Sequence, residues 1–503
     1  MTTNSLTQEK TIFGHPAGLY ILFFVEMWER FSYYGMRAIL TLYLAAPIIM
    51  GDPQSGFGWT NAETLSFYGT YTMFVYLMSI PGGWVADKYI GQKKAVMLGG
   101  ILLCFGHGVL AIDTEWAFFT GLILIVVGVG FLKPNISTMV GGLYKKGDNK
   151  RDTGFYIFYM GINIGSIIGY LVCGWLQVNV GYHWAFGAAA IGMGAGLIQF
   201  RLSLGKLHGH GANPTVKLSS LGIKRTQLAL VAALVLTTGL TYLIMSGSVA
   251  IDPVSLAQYV ALLITVVFLG YYSAIFLFAD LTVTEKKSLG ALFLVCVAST
   301  FFWAGFEQAG SSLNLFGRDY TDRFISSFEI PPAWFQSANS FFIVLLSPFF
   351  AALWINLTKR MINPSYGLKC AVGLIVMASG FIVMFFAAQV AASGLQAAPY
   401  WLIATYFLHT VGELCLSPVA LSAVSRLSPK RFAGQMMGVF TLTYSIGSVV
   451  AGLVAGNFDP DNIQQMPNLY LQISMFTIAA GLVIALCTIG TRHWESALDR
   501  ANA

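Results

Sequence analysis

An all-α polytopic membrane protein is predicted by three features of this 503-residue sequence. Hydrophobic residues make up 56% and charged residues only 10%, where a soluble domain carries about 25% charged. Apolar runs of about 20 residues recur along the chain, the length that crosses a hydrocarbon core about 30 Å thick at 1.5 Å per residue. Lys and Arg gather in alternate loops. The runs are long and do not alternate in polarity, and backbone groups in lipid must bond internally, so the spans are helices rather than barrel strands.

Fourteen spans follow in order, each bounded by charge. Lys10 precedes the run 17–46, and Asp52 follows it. The run 63–86 ends at Lys88, Lys93 and Lys94, and 93–112 ends at Asp113 and Glu115. The run 116–139 leads to Lys145, Lys146, Lys150 and Arg151. Then come 154–176 and 182–202, closed by the polar stretch 201–225, whose Gly, His, Lys and Ser mark a cytoplasmic linker. Two runs nearly free of internal charge, 226–247 and 255–279, form a hairpin with Asp252 at its turn. Lys286 and Lys287 open the last six: 288–309, 334–357, 368–391, 399–424, 432–455 and 468–490.

With the N-terminus placed inside, 23 of the 28 Lys and Arg residues fall in inside segments, and only Arg318 and Arg323 fall outside, among ten acids. Both termini are therefore expected in the cytoplasm, and the net charge of +6 is a topological signal rather than a nucleic-acid surface. No charged stub with a short apolar core and cleavage site precedes the first span, so no signal peptide is expected. The six cysteines, Cys104, Cys173, Cys296, Cys370, Cys415 and Cys487, lie in apolar runs without paired spacing and are expected to be core residues.

The six-two-six layout gives blocks 1–205, 206–285 and 286–503: two six-helix bundles joined by a linker and an inserted two-helix hairpin. The loop GGWVADKYIGQKKAV at 82–96 resembles the G-x-x-x-D-[RK]-x-x-G-[RK]-[RK] loop of the major facilitator superfamily. There Asp87, Lys88, Lys93 and Lys94 are expected to latch helix ends in one conformation and release them in another.

The first span is the anomaly. FFVEMWERFSYYGMRAILTLYL at 23–44 carries Glu26, Glu29, Arg30 and Arg37. Glu26, Arg30, Tyr33 or Tyr34, and Arg37 share one helical stripe, with Glu29 one step round. A charge at bilayer depth costs about 2.5 kcal/mol or more, so the stripe must face a wet cavity or partners, and Glu26–Arg30 is a favourable i,i+4 pair. Three more charges lie inside spans: Lys133 in GVGFLKPNIS, where Pro134 loosens the helix, Glu307 in FFWAGFEQAGSSLN, and Glu413 in FLHTVGELCLSPV. Three cations face four acids, which leaves one carboxylate over as a proton carrier. Positive charge in the first half and acid in the second complement a zwitterion, its carboxylate toward Arg37 and Lys133 and its ammonium toward Glu413. Without ligand, Arg37 with Glu307 and Lys133 with Glu413 are expected as gating pairs. His107, His183 and His409 are further candidates for proton work.

ExxERFSYYG, as Glu26, Glu29, Arg30, Phe31, Tyr33, Tyr34 and Gly35, resembles the helix-one signature of the proton-coupled oligopeptide transporter (POT) family. FYMGINIGS at 158–166, Lys133, the run around Glu307, QSANSFF at 336–342, GELCLSPV at 412–419 and GQMMGVF at 434–440 extend the resemblance over both halves. It implies a major facilitator fold and symport of di- and tripeptides with protons, with the proton gradient as energy source and no cofactor. Glu26, Glu29 and Arg30 would couple protons. Arg37 and Lys133 would take the peptide carboxylate; Asn163, Asn339 and Glu413 its amino end. Tyr33, Tyr34, Tyr71, Tyr159 and Trp303 would line side-chain pockets. Phe440 stands where many relatives carry Trp, so that pocket is expected to differ in shape. The hairpin resembles that of prokaryotic members, and the loop 392–398 is too short for the extracellular domain of animal relatives, which implies a bacterial inner membrane.

Other classes fit less well. An importer of nitrate or another small anion would use Arg30, Arg37 and Lys133 but leaves four membrane acids unexplained. An enzyme would want a metal cluster or nucleophile motif, and no HExxH, P-loop or GxSxG occurs. A channel or scaffold would not divide charge between halves. Oligomeric state is left open by the sequence.

Overall fold

The computed structural model of the protein describes residues 11–144, 150–207, 209–214, 252–360, 364–456 and 460–502, with scattered positions between 222 and 239. Its helices are α1 (Ala17–Ala45), α2 (Asn61–Leu77), α3 (Ser79–Val85), α4 (Gln92–Leu110), α5 (Glu115–Gly142), α6 (Lys150–Asn179), α7 (Tyr182–Ser203), α8 (Pro253–Phe278), α9 (Val283–Phe306), α10 (Ser312–Asp319), α11 (Ser337–Lys359), α12 (Tyr366–Ala392), α13 (Tyr400–Leu427), α14 (Ala433–Ala455) and α15 (Met466–Asn502). Among the described residues, eleven helical segments are long and apolar enough to cross a membrane. The expected run 226–247 and most of the linker lie outside the described residues.

Several expected spans differ from those observed, each for a local reason. The run 63–86 is not one helix: α2 stops at Leu77, α3 follows, and Ala86–Ile90 forms a π-turn. Pro81 cannot bond the Leu77 carbonyl and crowds it, which breaks the helix there. The run 288–309 starts earlier, at Val283. A capping box sets that start: Thr282 Oγ1 accepts from the Glu285 amide at 3.2 Å, and a Glu285 carboxylate oxygen accepts from the Thr282 amide at 2.9 Å. It then breaks, with Glu307–Gly310 a 3₁₀ turn leading to α10. Two short ribbons, Thr11–Ile12 with His15–Pro16 and Phe324–Ile325 with Phe328–Glu329, interrupt the all-helical pattern.

Contacts divide the chain into two compact units. One gathers the described residues of Met1–Met36, Met78–Leu176 and Val180–Ala250; the other gathers those of Arg37–Leu77, Gln177–Asn179 and Ile251–Ala503. In the first unit, small residues bring helix backbones together. Gly99 meets Gly128 and Gly106 meets Gly121 where α4 crosses α5. Gly82 of α3 passes the Gly130 carbonyl of α5, the acceptor that Pro134 leaves without its helical donor. The turn between the π-turn and α4 is held at Gly91, which sits at φ +80°, and the Lys93 amide donates to the Gly211 carbonyl at 2.9 Å. Asp87 lies in the π-turn itself.

The first half of α1 lies on α6 through Gly161, Gly165 and Gly169, and a Cβ at Gly165 would stand 2.1 Å from the Met27 carbonyl oxygen. Gly165→Val is therefore expected to push α6 off α1 and to destabilise the protein by about 1–3 kcal/mol, as overpacking does. Thermal unfolding in detergent, compared with the exposed-site control Gly205→Val, checks this.

In the second unit, α2 crosses α14 at Gly69 and Gly452, and α12 crosses α13 at Gly373 and Gly412. Helix α8 packs on α2 and α14. It is capped by Asp252, whose carboxylate accepts from the Val254 and Ser255 amides. The Tyr272 hydroxyl of α8 donates to the Leu289 carbonyl of α9.

Candidate functional site

The first unit holds a buried acid-rich cluster on α1. Glu26, Glu29 and Arg30 are 1%, 0% and 4% exposed. Arg30 Nε donates to Glu26 at 2.8 Å and lies 2.9 Å from a Glu29 carboxylate oxygen. Two carboxylates thus share one guanidinium. The remaining Glu26 oxygen and both Glu29 oxygens make no hydrogen bond among the described residues. Lys133 of α5 acts electrostatically on Glu29, so four of the membrane charges act on one another here. Glu29, one step round the helix from Glu26, is no outlier: its side chain reaches the same guanidinium. The Tyr34 ring lies 5.9 Å from the Arg30 guanidinium carbon and 5.4 Å from the Tyr33 ring, a cation–π contact that helps to hold a desolvated arginine. On α6, Asn163 is buried and its amide donates to the Tyr159 carbonyl at 3.0 Å.

In the second unit, Arg37 on the later part of α1 forms an ion pair with Glu307. Glu307 sits where α9 gives way to the 3₁₀ turn, and such a helix break in a membrane protein exposes polar backbone where function needs it. Arg37 Nε donates to the Tyr68 hydroxyl. The Tyr68 and Tyr76 hydroxyls donate to the two carboxylate oxygens of Glu307, each at 3.4 Å. Further bonds tie the same elements: Thr41 Oγ1 to the Gly310 carbonyl at 3.1 Å, and the Asn314 amide to the Ala38 carbonyl at 2.7 Å.

Gly310 is the tight point of this arrangement. A Cβ there would lie 2.0 Å from the Tyr68 hydroxyl and 3.3 Å from Arg37 Nε. Gly310→Ala is expected to displace Tyr68 from Arg37, to destabilise the protein by about 1–3 kcal/mol as overpacking does, and to lower transport. A Cβ at position 310 would also stand 2.6 Å from Tyr68 Cζ, so Gly310→Ala paired with Tyr68→Phe is expected to relieve only part of the clash, and thermal unfolding in detergent checks both variants.

Glu413 on α13 has a different environment. The Asn339 amide donates to it at 3.1 Å and to Thr410 Oγ1 at 3.0 Å. Within its unit no cation among the described residues pairs with it, so this buried carboxylate is suited to an ammonium group. An aromatic wall stands on α2, α9 and α14: the Trp303 ring lies 4.7 Å from Tyr444 and 6.3 Å from Tyr76, Tyr76 stacks on Tyr444 at 5.6 Å, and Phe440 meets Tyr444 at 5.3 Å. Trp303 Nε1 has no hydrogen-bond partner among the described residues. Tyr71 is buried on α2, three residues after Tyr68.

The expected site residues therefore fall into two sets. Glu26, Glu29, Arg30, Tyr33, Tyr34, Lys133, Tyr159 and Asn163 belong to the first unit, and Arg37, Tyr71, Trp303, Glu307, Asn339 and Glu413 to the second. Sequence reasoning missed Tyr68, Tyr76 and Tyr444. Their signal was present: phenols on apolar spans, two of them in ETLSFYGTYTMFVYL, whose hydroxyls need partners when buried. The histidines sit outside both sets. The His409 ring packs on Phe381 at 4.7 Å, and His183 faces Asp113 at 3.1 Å at the start of α7.

Against known proteins, a family model described as the POT family matches residues 93–469. A peptide transporter of Yersinia enterocolitica is 38% identical over 98% of both chains. A di-/tripeptide transporter of Lactococcus lactis subsp. cremoris is 36% identical over 88% of this chain and 89% of its own. A crystal structure of a peptide transporter POT in complex with sulfate superimposes with a TM-score of 0.89 at 34% identity, covering 97% of each chain.

Proposed function

This chain belongs to the POT family, and from that premise we propose how its buried charges carry out proton-coupled import of di- and tripeptides by alternating access. The single observation that carries the reading is the pair of carboxylates, Glu26 and Glu29, on one buried guanidinium, Arg30. With both acids ionised the trio bears one excess negative charge in a low-dielectric setting, which Lys133 offsets only in part, acting on Glu29 less than Arg30 does. A proton on either acid leaves a neutral one-to-one pair, and that difference lets the site take up and release a proton.

The cycle begins open to the outside. A proton lands on Glu26 or Glu29 and loosens the hold of the acids on Arg30, which strengthens the positive field for a peptide carboxylate. Arg37 and Lys133 take that carboxylate, while Asn163, Asn339 and Glu413 hold the amino end. Tyr33, Tyr34, Tyr71, Tyr159 and Trp303 line side-chain pockets, and Phe440 shapes one of them. The carboxylate competes with Glu307 for Arg37, so binding loosens one gate pair; Lys133 and Glu413 are the second. Each proton crossing 100 mV supplies about 2.3 kcal/mol, which supports roughly a forty-fold peptide gradient. The layout is two six-helix bundles and an inserted hairpin, fourteen spans in all, in a bacterial inner membrane with both termini cytoplasmic. An importer of nitrate is disfavoured by the four buried acids and by relatives named as peptide transporters. Uptake of labelled dialanine into proteoliposomes under an inward proton gradient tests the reading. Accumulation that collapses with the gradient is expected; nitrate accumulation without dialanine uptake would overturn it.

A further inference from the structure

A groove of about 680 Å³ lies in the first unit, between the start of α4 and the end of α7. Of its lining residues, Lys93 and Lys94 belong to the loop expected to latch helix ends, and none is assigned to binding peptide or proton. Lys93, Lys94 and Arg201 stand at its rim, and none of the three has an ion-pair or hydrogen-bond partner for its side chain among the described residues. No acid lines it. Its walls are apolar: Met97 and Ile101 continue down α4 from the lysines, and Leu197 and Ile198 line α7.

The order of these residues is informative. From Lys94 to Ile101 is about 10 Å along the helix axis, so positive charge at one end gives way to hydrocarbon within the length of a glycerol backbone and the first methylenes of an acyl chain. A lysine or arginine that serves only as a topological signal needs no cleft beneath it. A site for a free anion needs no apolar floor. We propose that the groove binds one anionic phospholipid, its phosphate held by Lys93, Lys94 and Arg201 and an acyl chain laid along Met97, Ile101 and Leu197. Arginine suits this role because its planar fork meets phosphate oxygens in pairs, and basic pockets between spans select anionic headgroups. The rim is also tied to the Gly91 turn, since the Lys93 amide donates to Gly211 and Ala212 lines the same groove. An occupied groove would therefore brace the junction of α3 and α4.

Native mass spectrometry of the full-length protein in detergent tests this without any transport readout, so its outcome is separable from that of the peptide reading. The probes are phosphatidylglycerol and phosphatidylethanolamine of matched chains, with inorganic phosphate as competitor. The variants are Lys94→Gln, Arg201→Gln and their double, all at exposed positions, with Lys286→Gln, an exposed lysine elsewhere, as control. Wild type is expected to retain phosphatidylglycerol over phosphatidylethanolamine. The double variant is expected to lose at least about tenfold of that preference, and Lys286→Gln none. Millimolar phosphate is expected to displace nothing. Equal phosphatidylglycerol retention by wild type and the double variant overturns the proposal, as does displacement by phosphate alone, which would mark a free-anion site.

Discussion

Glu26→Gln and Glu29→Gln are each expected to abolish proton-driven peptide accumulation while sparing exchange of external for internal peptide. Both side chains are buried and share Arg30. Glutamine keeps the size and a hydrogen-bonding carbonyl but cannot exchange a proton, and the remaining acid then forms the one-to-one pair with Arg30 permanently. The cluster is fixed in the state that the proton normally creates. Exchange needs only that the loaded carrier reorient, so it survives; accumulation needs the proton to come and go, so it fails. The expected loss of accumulation is the whole of the proton contribution, about forty-fold at 100 mV. Counterflow and pH-driven uptake measured on the same proteoliposomes separate the two. Full proton-driven uptake by both variants would reject the assignment.

The Arg37–Glu307 pair carries the second large effect. Removing one partner of a buried pair costs about 3–5 kcal/mol because the other is left uncompensated. Here Tyr68 and Tyr76 bond to the pair but supply no charge. Glu307→Gln is therefore expected to lower stability by about 3–5 kcal/mol and, by removing the gate pair, to cut uptake. The exchange Arg37→Glu with Glu307→Arg restores the opposite charges, and partial recovery of thermal stability is expected, while uptake stays low because position 37 also takes the peptide carboxylate. A swap no more stable than either single change would count against the pair, because the pairing needs the attraction and not a particular polarity.

Much of this was legible in the sequence because membrane burial makes charge conspicuous. The stripe through Glu26, Arg30 and Arg37 could be read from spacing alone, and the i,i+4 bond from Arg30 to Glu26 is the one that spacing implies. Glu307 and Arg37 could be paired by charge balance. The neutral partners were hidden. Tyr68 and Tyr76 look like ordinary aromatic residues of an apolar span, and only coordinates show their hydroxyls on Glu307. The helix breaks were similarly obscured, since hydropathy averages over residues 63–86 and 288–309 and takes no account of the Leu77 carbonyl beside Pro81 or of the turn at Glu307. In FEQAGSSLN the density of small and polar residues was the available sign: Ser311 Oγ donates to the Glu307 carbonyl at 3.0 Å and Ser312 Oγ bonds to the Gln308 side chain, local bonds that compete with a continuous helix.

The central claim is that the α1 carboxylates carry the proton that moves with each peptide. It is tested most directly by proton flux with no imposed pH gradient: dialanine is added outside proteoliposomes with the membrane potential clamped at zero, and the internal pH is followed with a trapped dye. The account predicts internal acidification that tracks peptide entry in wild type, and exchange of labelled for preloaded dialanine without acidification in the Glu26→Gln and Glu29→Gln variants. Acidification of wild-type extent in both variants, or peptide entry into wild-type vesicles with no change in pH, would contradict it.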